Sequence, residues 1–233
     1  MSDLEGFGFV LPHWLYWGWL AVMPLIMIAL DKWAHRHGGK QSDHYKMMGE
    51  AVANEDPLVH HQFHGNWLTK GIDWISDKSG LFIAFWTINA VFFYFFEVIM
   101  RYVFNMPTVW AHEASYLLLG MQYMLAGGYA LLQGAHVRVD VLYNKLPERG
   151  RVGMDIFTSV FFFIFAVALS VTSWVFFSDS YGMNEITVET WGIQHWPVKG
   201  MMLLGSVLLL LAGLSKFLKD IMLFARMGKV GES

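Results

Sequence analysis

The sequence predicts an all-α integral membrane protein with five transmembrane helices, and three observations support this fold class. Of its 233 residues 55% are hydrophobic and only 15% are charged, whereas a soluble domain carries about 25% charged residues. Five segments are long and apolar enough to cross a bilayer, which takes about 20 residues in a helix. The Lys and Arg residues cluster in alternate connections between these segments, a pattern typical of multi-span proteins.

The five apolar segments are almost free of charge. The second contains Glu97 alone, and the third has His112 and Glu113 only at its start. Buried helices of a soluble protein are the alternative, but too little amphipathic sequence remains to enclose them. We therefore predict five membrane spans. In chain order they are residues 12–30, 80–100, 110–132, 156–177 and 198–214.

The first segment differs from a secretory signal peptide. Residues 1–11 contain Asp3 and Glu5 but no Lys or Arg, whereas a signal peptide begins with a basic region. Asp31, Lys32 and Trp33 follow the segment where a small-residue cleavage site is expected. The sequence favours a retained helix.

The orientation follows from the basic residues. All but two of the 16 Lys and Arg residues lie in residues 31–79, 133–155 and 215–233. Arg101 and Lys199 are the exceptions. Since basic flanks stay in the cytoplasm, we predict an outside N-terminus and a cytoplasmic C-terminus.

Two cytoplasmic stretches, residues 67–77 and 139–146, are predicted to be amphipathic helices at the membrane interface. Each repeats apolar residues at helical spacing, and such helices rest their apolar face on the headgroup region of the lipids. In the first stretch the apolar residues are Leu68, Ile72 and Ile75, and the polar ones are Lys70, Asp73 and Asp77.

The predicted organisation has three parts: an extra N-terminal helix (residues 1–33), a cytoplasmic His-rich loop (34–66) and a four-helix membrane domain (67–233). A transition-metal site in the loop is the alternative to a solvated segment. Acidic and cysteine partners at ligand spacing are missing, so the sequence favours a solvated loop and no metal site. The histidines of the loop are His35, His37, His44, His60, His61 and His64.

Small residues on the third span predict close helix packing. Gly120, Gly127 and Gly134 are seven residues apart, so they share one face of a supercoiled helix. Small residues let a second helix approach closely in a membrane. The neighbour is either another helix of this chain or a second membrane protein, and the spacing favours the former.

Three ionisable residues lie near the outer ends of the second and third spans. Glu97 and Arg101 are four residues apart, and Glu113 begins the next span at a similar depth. A proton or ion path is one interpretation of charges in a membrane. Since nothing ionisable continues through the other spans, the sequence favours a structural clamp.

The chain shows no sign of an enzyme. It has no cysteine, no phosphate-binding loop, no dinucleotide-binding glycine motif and no serine nucleophile motif. Nothing predicts a cofactor or a nucleic-acid partner. One alternative stays open: a haem-binding or quinone-linked anchor subunit of a redox complex, with ligands among His13, His112 and His195 at the outer edge. An orphan assembly or signalling protein is a third.

From Glu97 onward the sequence resembles a known family. The series R-Y-V-F-N-x-P from Arg101, W-x-x-E from Trp110 and H-x-x-x-D-x-L from His136 is similar to the DctQ-like small membrane subunit of tripartite ATP-independent periplasmic (TRAP) transporters. The resemblance covers about residues 67–217. The N-terminal helix and its loop are additional to the four-helix pattern of that family.

The resemblance implies a scaffold in the bacterial inner membrane. Family members hold a large membrane subunit, which carries the substrate and sodium sites, while a soluble periplasmic protein delivers an organic acid. Four family spans with both ends inside, plus one extra span, place the N-terminus outside. Since this chain stops at Ser233, we expect it not to be fused to the large subunit.

The resemblance also assigns roles to residues. Arg101 and Glu113 are expected to pin the second and third spans, with Asn105 and Trp110 in the same motif. The inner motif is expected to set the angle of the inner interfacial helix, and the outer loop at 178–197 is expected to contact the soluble partner. The inner motif is His136, Arg138 and Asp140, and the acidic residues of the loop are Asp179, Glu185 and Glu189.

Overall fold

The chain forms a helical bundle. The computed structural model describes residues 10–37, 67–132 and 147–230. Within these ranges there is no strand, only an isolated antiparallel bridge between Ile186 and Gln194. The all-α prediction is confirmed for this part of the chain. Its helices are α1 (His13–His37), α2 (Trp67–Ala84), α3 (Trp86–Tyr102), α4 (Ala111–Leu132), α5 (Glu148–Met183) and α6 (Trp196–Val230).

Four helical stretches of the described residues are long and apolar enough to cross a membrane. They are His13–Trp33, Trp67–Tyr102, Arg149–Met183 and Trp196–Ala225, and they contain the first, second, fourth and fifth predicted spans. The third predicted span forms α4, whose apolar residues alternate with polar ones such as Ser115 and Gln122. The count of five spans therefore remains a prediction.

The last two helices are longer than their apolar segments. α5 has 36 residues and α6 has 35, whereas apolar character alone predicts residues 156–177 and 198–214. α6 continues because its polar end is rich in good helix formers such as Lys, Leu and Met, whereas the end of α5 continues through Ser178, Asp179 and Ser180, which are weaker helix formers. As a result Asp179 lies on α5, and the loop that follows spans only residues 184–195.

The bundle has two ends that long-range contacts identify. At one end Trp191, in the loop between α5 and α6, contacts His13 at the start of α1. We call this the Trp191 end. At the other, which we call the Asp73 end, Lys219 of α6 donates to Asp73 of α2 at 2.5 Å.

α6 packs closely against α4 because glycines leave room at their crossing. A Cβ atom on Gly205 would overlap the backbone carbonyl of Met124, and one on Gly128 would lie 3.0 Å from the carbonyl of Leu208. Backbones that approach this closely require residues without a side chain. The α4 glycine that faces the backbone of α6 is therefore Gly128, one residue away from the predicted Gly127.

Residues 67–77, the first predicted interfacial helix, are helical, but the helix does not end before the next span. Only Phe85, in αR conformation, interrupts the helical path from α2 into α3. Thr69, Asp73 and Ser76 of α2 face the bundle, where Asp73 also accepts a hydrogen bond from Ser215 at 2.7 Å, whereas Lys70 and Asp77 are exposed. Trp67 and Trp74 point outward, with 80% and 63% of their surface exposed. The interfacial position of this helix remains a prediction.

The N-terminal helix α1 docks on α3 at a gap in its own backbone hydrogen bonds. Pro24 lies inside α1 and has no N–H, so the carbonyl of Leu20 loses its helical donor. The indole N–H of Trp86 donates to that carbonyl at 2.9 Å in a buried position. Beside it, Trp19 donates to the side-chain oxygen of Asn89 at 2.8 Å. These bonds satisfy polar groups that lipid cannot solvate.

We expect Trp86→Phe to lower the free energy of unfolding by about 1–3 kcal/mol, because it leaves the buried carbonyl of Leu20 without a donor. Pro24→Ala restores the helical N–H, so Trp86→Phe is expected to cost clearly less in that background. A double-mutant cycle of unfolding in detergent micelles measures the coupling. Equal costs in both backgrounds would contradict this account of α1 docking.

Candidate functional site

The motif that begins at Arg101 builds the turn between α3 and α4. Asn105 adopts a left-handed conformation with φ of 52°, which Asn tolerates better than most residues. The amide of Met106 then bonds the carbonyl of Met100 at 2.9 Å. Asn105 thus reverses the chain at the end of α3, which explains an asparagine at this position.

Glu97 is the centre of the clamp at this turn. Its carboxylate accepts hydrogen bonds from Arg101 Nε and from the backbone amide of Thr108, both at 3.0 Å. The Thr108 hydroxyl and Arg101 Nη2 also donate to it. The Glu97 side chain is 9% exposed, whereas that of Arg101 is 51% exposed. Glu97 therefore fastens the α3–α4 turn to α3.

The structure does not bring Arg101 and Glu113 together. Glu113 lies on the first turn of α4 and is 2% exposed. Its Oε1 accepts a hydrogen bond from the hydroxyl of Thr187, in the loop between α5 and α6. Arg101 instead forms an ion pair with Glu97 on its own helix. The two carboxylates therefore fasten different connections at the Trp191 end.

The loop at 184–195 is a compact hairpin-like turn. Asn184, with φ of 48°, ends α5 in the left-handed conformation. The amide of Thr187 bonds the carbonyl of Ile193 at 2.8 Å, and the amide of His195 bonds the carbonyl of Glu185 at 2.9 Å. Ile193 is fully buried, whereas Val188 at the tip is fully exposed.

An aromatic cluster lies beneath this loop. The rings of Trp110 and Trp191 have centroids 6.3 Å apart, and both residues are 4% exposed. Tyr16 packs edge-on to Trp191 at 5.2 Å, and its hydroxyl donates to the carbonyl of Ala114 at 2.8 Å. Phe93 completes the packing against Trp110 at 5.8 Å. The motif tryptophan Trp110 thus joins the α3–α4 turn to the loop at 184–195.

The three acidic residues that were predicted to contact a soluble partner divide into two groups. Glu185 is bonded by the ammonium group of Lys199, which holds the pKa of Glu185 below its usual value of 4.5. Since the pKa is lowered by folding, the stabilisation is fully present above about pH 4.5 and is lost as the pH falls through the folded-state pKa. Asp179 and Glu189 are exposed.

The predicted glycine seam lies on an open face of α4. A Cβ atom on Gly120 would meet no atom within 4 Å, and one on Gly127 would make only an ordinary contact at 3.8 Å. Three exposed polar side chains share that face at helical spacing. We call this set the α4 stripe: His112, Tyr116, Gly120, Tyr123 and Gly127.

The α4 stripe differs from the exposed face of α5. The large exposed residues in the middle of α5 are Phe161, Ile164, Phe165 and Val167, all apolar and suited to lipid. In the stripe, Tyr116 is 38% and Tyr123 is 75% exposed. Polar groups within a bundle of this kind usually face other helices or a cavity rather than lipid.

The three histidines at the Trp191 end have separate surroundings. His13 bonds the carbonyl of Trp191 at 3.1 Å, and His112 packs against Tyr94 and Tyr116. The backbone of His195 bonds Glu185. Among the described residues no three His, Asp or Glu side chains lie close enough to hold a metal ion. Nothing in this arrangement favours a redox anchor.

Several predicted elements lie outside the described residues. They are the inner motif His136, Arg138 and Asp140, the glycine Gly134, the second interfacial helix at 139–146 and the His-rich loop beyond residue 37. Their assigned roles remain predictions.

Sequence reasoning missed four residues of the site: Tyr16, Thr108, Thr187 and Trp191. Thr108 directly follows Pro107, the proline of the motif, so its position could have indicated that it belongs to the site. Tyr16 and Thr187 make their bonds across 98 and 74 residues respectively, and no local pattern reports such contacts. These contacts fasten the α3–α4 turn and the loop at 184–195 to the bundle. They leave the α4 stripe and the tip of that loop exposed.

Comparison with known proteins gives the family. Residues 90–222 match the model of the DctQ component of tripartite ATP-independent periplasmic transporters. The C4-dicarboxylate TRAP transporter small permease protein DctQ of Vibrio cholerae is 25% identical over 126 residues, which are 54% of this chain and 52% of that protein. The chain thus matches about half the length of this curated relative. The family match covers more than half of the chain, including α4–α5 and most of α3 and α6, and the chain therefore belongs to the DctQ component family of tripartite ATP-independent periplasmic transporters.

Proposed function

We propose that this chain is the scaffold subunit of a binding-protein-dependent, ion-coupled secondary transporter for organic acids. It holds the large transport subunit in the bacterial inner membrane and helps to dock the periplasmic binding protein. It has no catalytic role. The family match over residues 90–222 is the observation that carries this proposal. We assign the α4 stripe to the large subunit and the loop at 184–195 to the periplasmic protein.

The α4 stripe is the proposed contact for the large subunit. Its glycines leave space for a second helix to approach closely, and no other helix among the described residues fills that space at Gly120. The hydroxyl groups of Tyr116 and Tyr123 and the imidazole of His112 offer hydrogen bonds to that helix. The glycine seam is therefore interpreted as an interface between subunits rather than as packing within the chain.

The Trp191 end is proposed to face the periplasm. Among the described residues, Lys70, Lys78, Arg149, Arg151 and Lys216 lie toward the Asp73 end, while Arg101 and Lys199 lie toward the Trp191 end. Basic residues favour the cytoplasmic side. The apolar face of α2, with Trp67 and Trp74, then rests on lipid at the cytoplasmic interface.

Purification of the chain from its native membrane in mild detergent tests the proposal. We expect a stoichiometric, very hydrophobic partner with many spans, and a colourless sample. Mass spectrometry identifies the partner, and an absorption scan detects haem. A haem band, or an iron–sulfur partner in place of a transport protein, would refute the scaffold function.

Asp179 and Glu189 are proposed to meet basic groups of the periplasmic protein, because both carboxylates are exposed at the Trp191 end. We expect the double substitution Asp179→Lys and Glu189→Lys to raise the half-saturating concentration of that protein roughly tenfold, since attraction becomes repulsion. Transport by proteoliposomes that contain both membrane subunits measures this concentration.

Asp77→Lys is the matched control. On an exposed residue at the Asp73 end it makes the same charge change as each of the two substitutions in the loop region, and we expect it to leave the half-saturating concentration unchanged. If the double substitution has no more effect than Asp77→Lys, the loop at 184–195 is not a docking surface. Low salt should enlarge the difference, because exposed charges are screened over about 10 Å at 0.1 M.

A further inference from the structure

Helix α1 lies outside the part of the chain that the family match covers. It lies before residues 90–222, yet its first turn packs on the loop at 184–195 inside that range. Val10, Leu11 and Trp17 pack against the same core cluster as Trp191. The position of α1 therefore bears on the conformation of this loop.

Two hydrogen bonds join the loop to the start of α1, and Trp191 donates in one and accepts in the other. The indole N–H of Trp191 donates to the carbonyl of Leu11 at 2.9 Å. His13 Nε2 donates to the backbone carbonyl of Trp191 at 3.1 Å. A residue whose side chain and backbone are both bonded to one segment is fixed in orientation as well as position.

Ring packing holds Trp191 from the same side. His13 and Tyr16 lie edge-on to it, with ring centroids at 5.4 Å and 5.2 Å. The hydroxyl of Tyr16 is itself fixed on the carbonyl of Ala114 in α4. Because α1 holds Trp191 and is itself fastened to α4 through Tyr16, the buried side of the loop has little freedom.

The opposite side of the loop is exposed. Val188 is fully exposed, and Glu189 beside it is exposed as well. Thr187, next to the tip, is tied to Glu113 of α4. The loop thus presents a short tip on a base that is fastened to α1 at Trp191 and to α4 at Thr187.

We propose that α1 is a positioning element for the docking loop: through Leu11, His13 and Tyr16 it holds Trp191, and so presents Val188 and Glu189 in the conformation that the periplasmic binding protein recognises. This inference rests on the proposed docking function of the loop. A loop held before binding loses less conformational entropy when the partner docks. α1 then acts through Trp191 and need not touch the partner.

Trp191→Phe tests the inference, and Trp86→Phe is its matched control. Each substitution removes one indole N–H that donates to a backbone carbonyl at or before α1, at 2.9 Å in both cases. Trp191 lies in the loop, whereas Trp86 holds α1 at Leu20, away from it. A purely stabilising role for α1 predicts the same pattern of effects for both variants.

For Trp191→Phe we expect hydrogen exchange of the amides at residues 186–195 to become roughly tenfold faster. We also expect the half-saturating concentration of the periplasmic protein to rise several-fold, with the maximal transport rate and the yield of the membrane complex unchanged. For Trp86→Phe we expect a lower stability in detergent with no change in that concentration.

Any of the following results would overturn the inference. They are unchanged exchange in the loop of Trp191→Phe, an equal rise of the half-saturating concentration in both variants, and a loss of complex yield that accounts for the transport defect. Faster exchange in the loop together with an unchanged half-saturating concentration would also overturn it. If the double substitution Asp179→Lys and Glu189→Lys then also leaves the half-saturating concentration unchanged, the proposed docking function of the loop is wrong. If the double substitution raises that concentration, only the proposed role of α1 is wrong.

Discussion

Glu97→Ala is expected to lower the free energy of unfolding by about 3 kcal/mol, more than any other single substitution in the clamp. It leaves the buried amide and hydroxyl of Thr108 without their acceptor, and buried groups that lose a charged partner are costly. The α3–α4 turn then loses its attachment to α3. Unfolding in detergent micelles measures the loss, and the yield of the complex with the large subunit should fall with it.

Arg101→Ala is the comparison. The Arg101 side chain is about half exposed, so its ion pair with Glu97 should contribute less than about 1 kcal/mol. We still expect Arg101→Ala to lower the yield of the complex more than it changes substrate affinity of the periplasmic protein. A larger loss of stability for Arg101→Ala than for Glu97→Ala would show that the clamp is organised around the arginine instead.

Gly205→Ala is expected to cost at least about 1–3 kcal/mol of stability, because the added methyl group overlaps the backbone carbonyl of Met124 and forces α4 and α6 apart. Gly120→Leu adds a larger side chain, yet among the described residues no atom of another helix lies within 4 Å of a Cβ atom at this position. We expect its effect to stay within about 0.5 kcal/mol. Unfolding of both variants in the absence of the large subunit measures the contrast.

Equal losses of stability for Gly205→Ala and Gly120→Leu would contradict our assignment, in which Gly205 packs on α4 and Gly120 faces the large subunit. A stable Gly205→Ala variant would show that α4 and α6 adjust their separation easily. Gly128→Ala, which faces the backbone of Leu208 at 3.0 Å, offers a second substitution at the same crossing.

The sequence predicts the fold class because lipid imposes strong limits on composition. Nearly uncharged segments of about 20 residues locate the four apolar helical stretches, and amphipathic spacing predicts the helix at residues 67–77. Helix ends are less well predicted, since α5 and α6 continue into polar residues beyond their apolar segments. Asp179 consequently lies on a helix rather than in a loop.

The glycine seam illustrates what periodicity can and cannot predict. Spacing by seven residues places Gly120 and Gly127 on one face of α4, and the structure has them there. It does not identify the neighbour, because a shift of one residue turns the face by about 100°. Gly128 faces α6 for this reason, while Gly120 remains open in this chain.

Contacts between distant residues account for most of what sequence reasoning missed. Glu113 was expected to meet Arg101, which lies near it in sequence, but it bonds Thr187 74 residues away. The docking of α1 had a partial signal. Pro24 inside an apolar helix implies a carbonyl at Leu20 in need of a donor, but nothing local indicates that Trp86 supplies it.

The central claim is that the α4 stripe holds the large transport subunit, and co-purification of that subunit with Gly120→Leu tests it most directly. Gly18→Leu is the matched control, because Gly18 on α1 is also free of contacts within 4 Å. With both variants folded, we predict that Gly120→Leu retains roughly tenfold less of the large subunit than wild type, while Gly18→Leu retains as much as wild type. Full retention by Gly120→Leu would contradict the claim and place the interface on another face of the bundle.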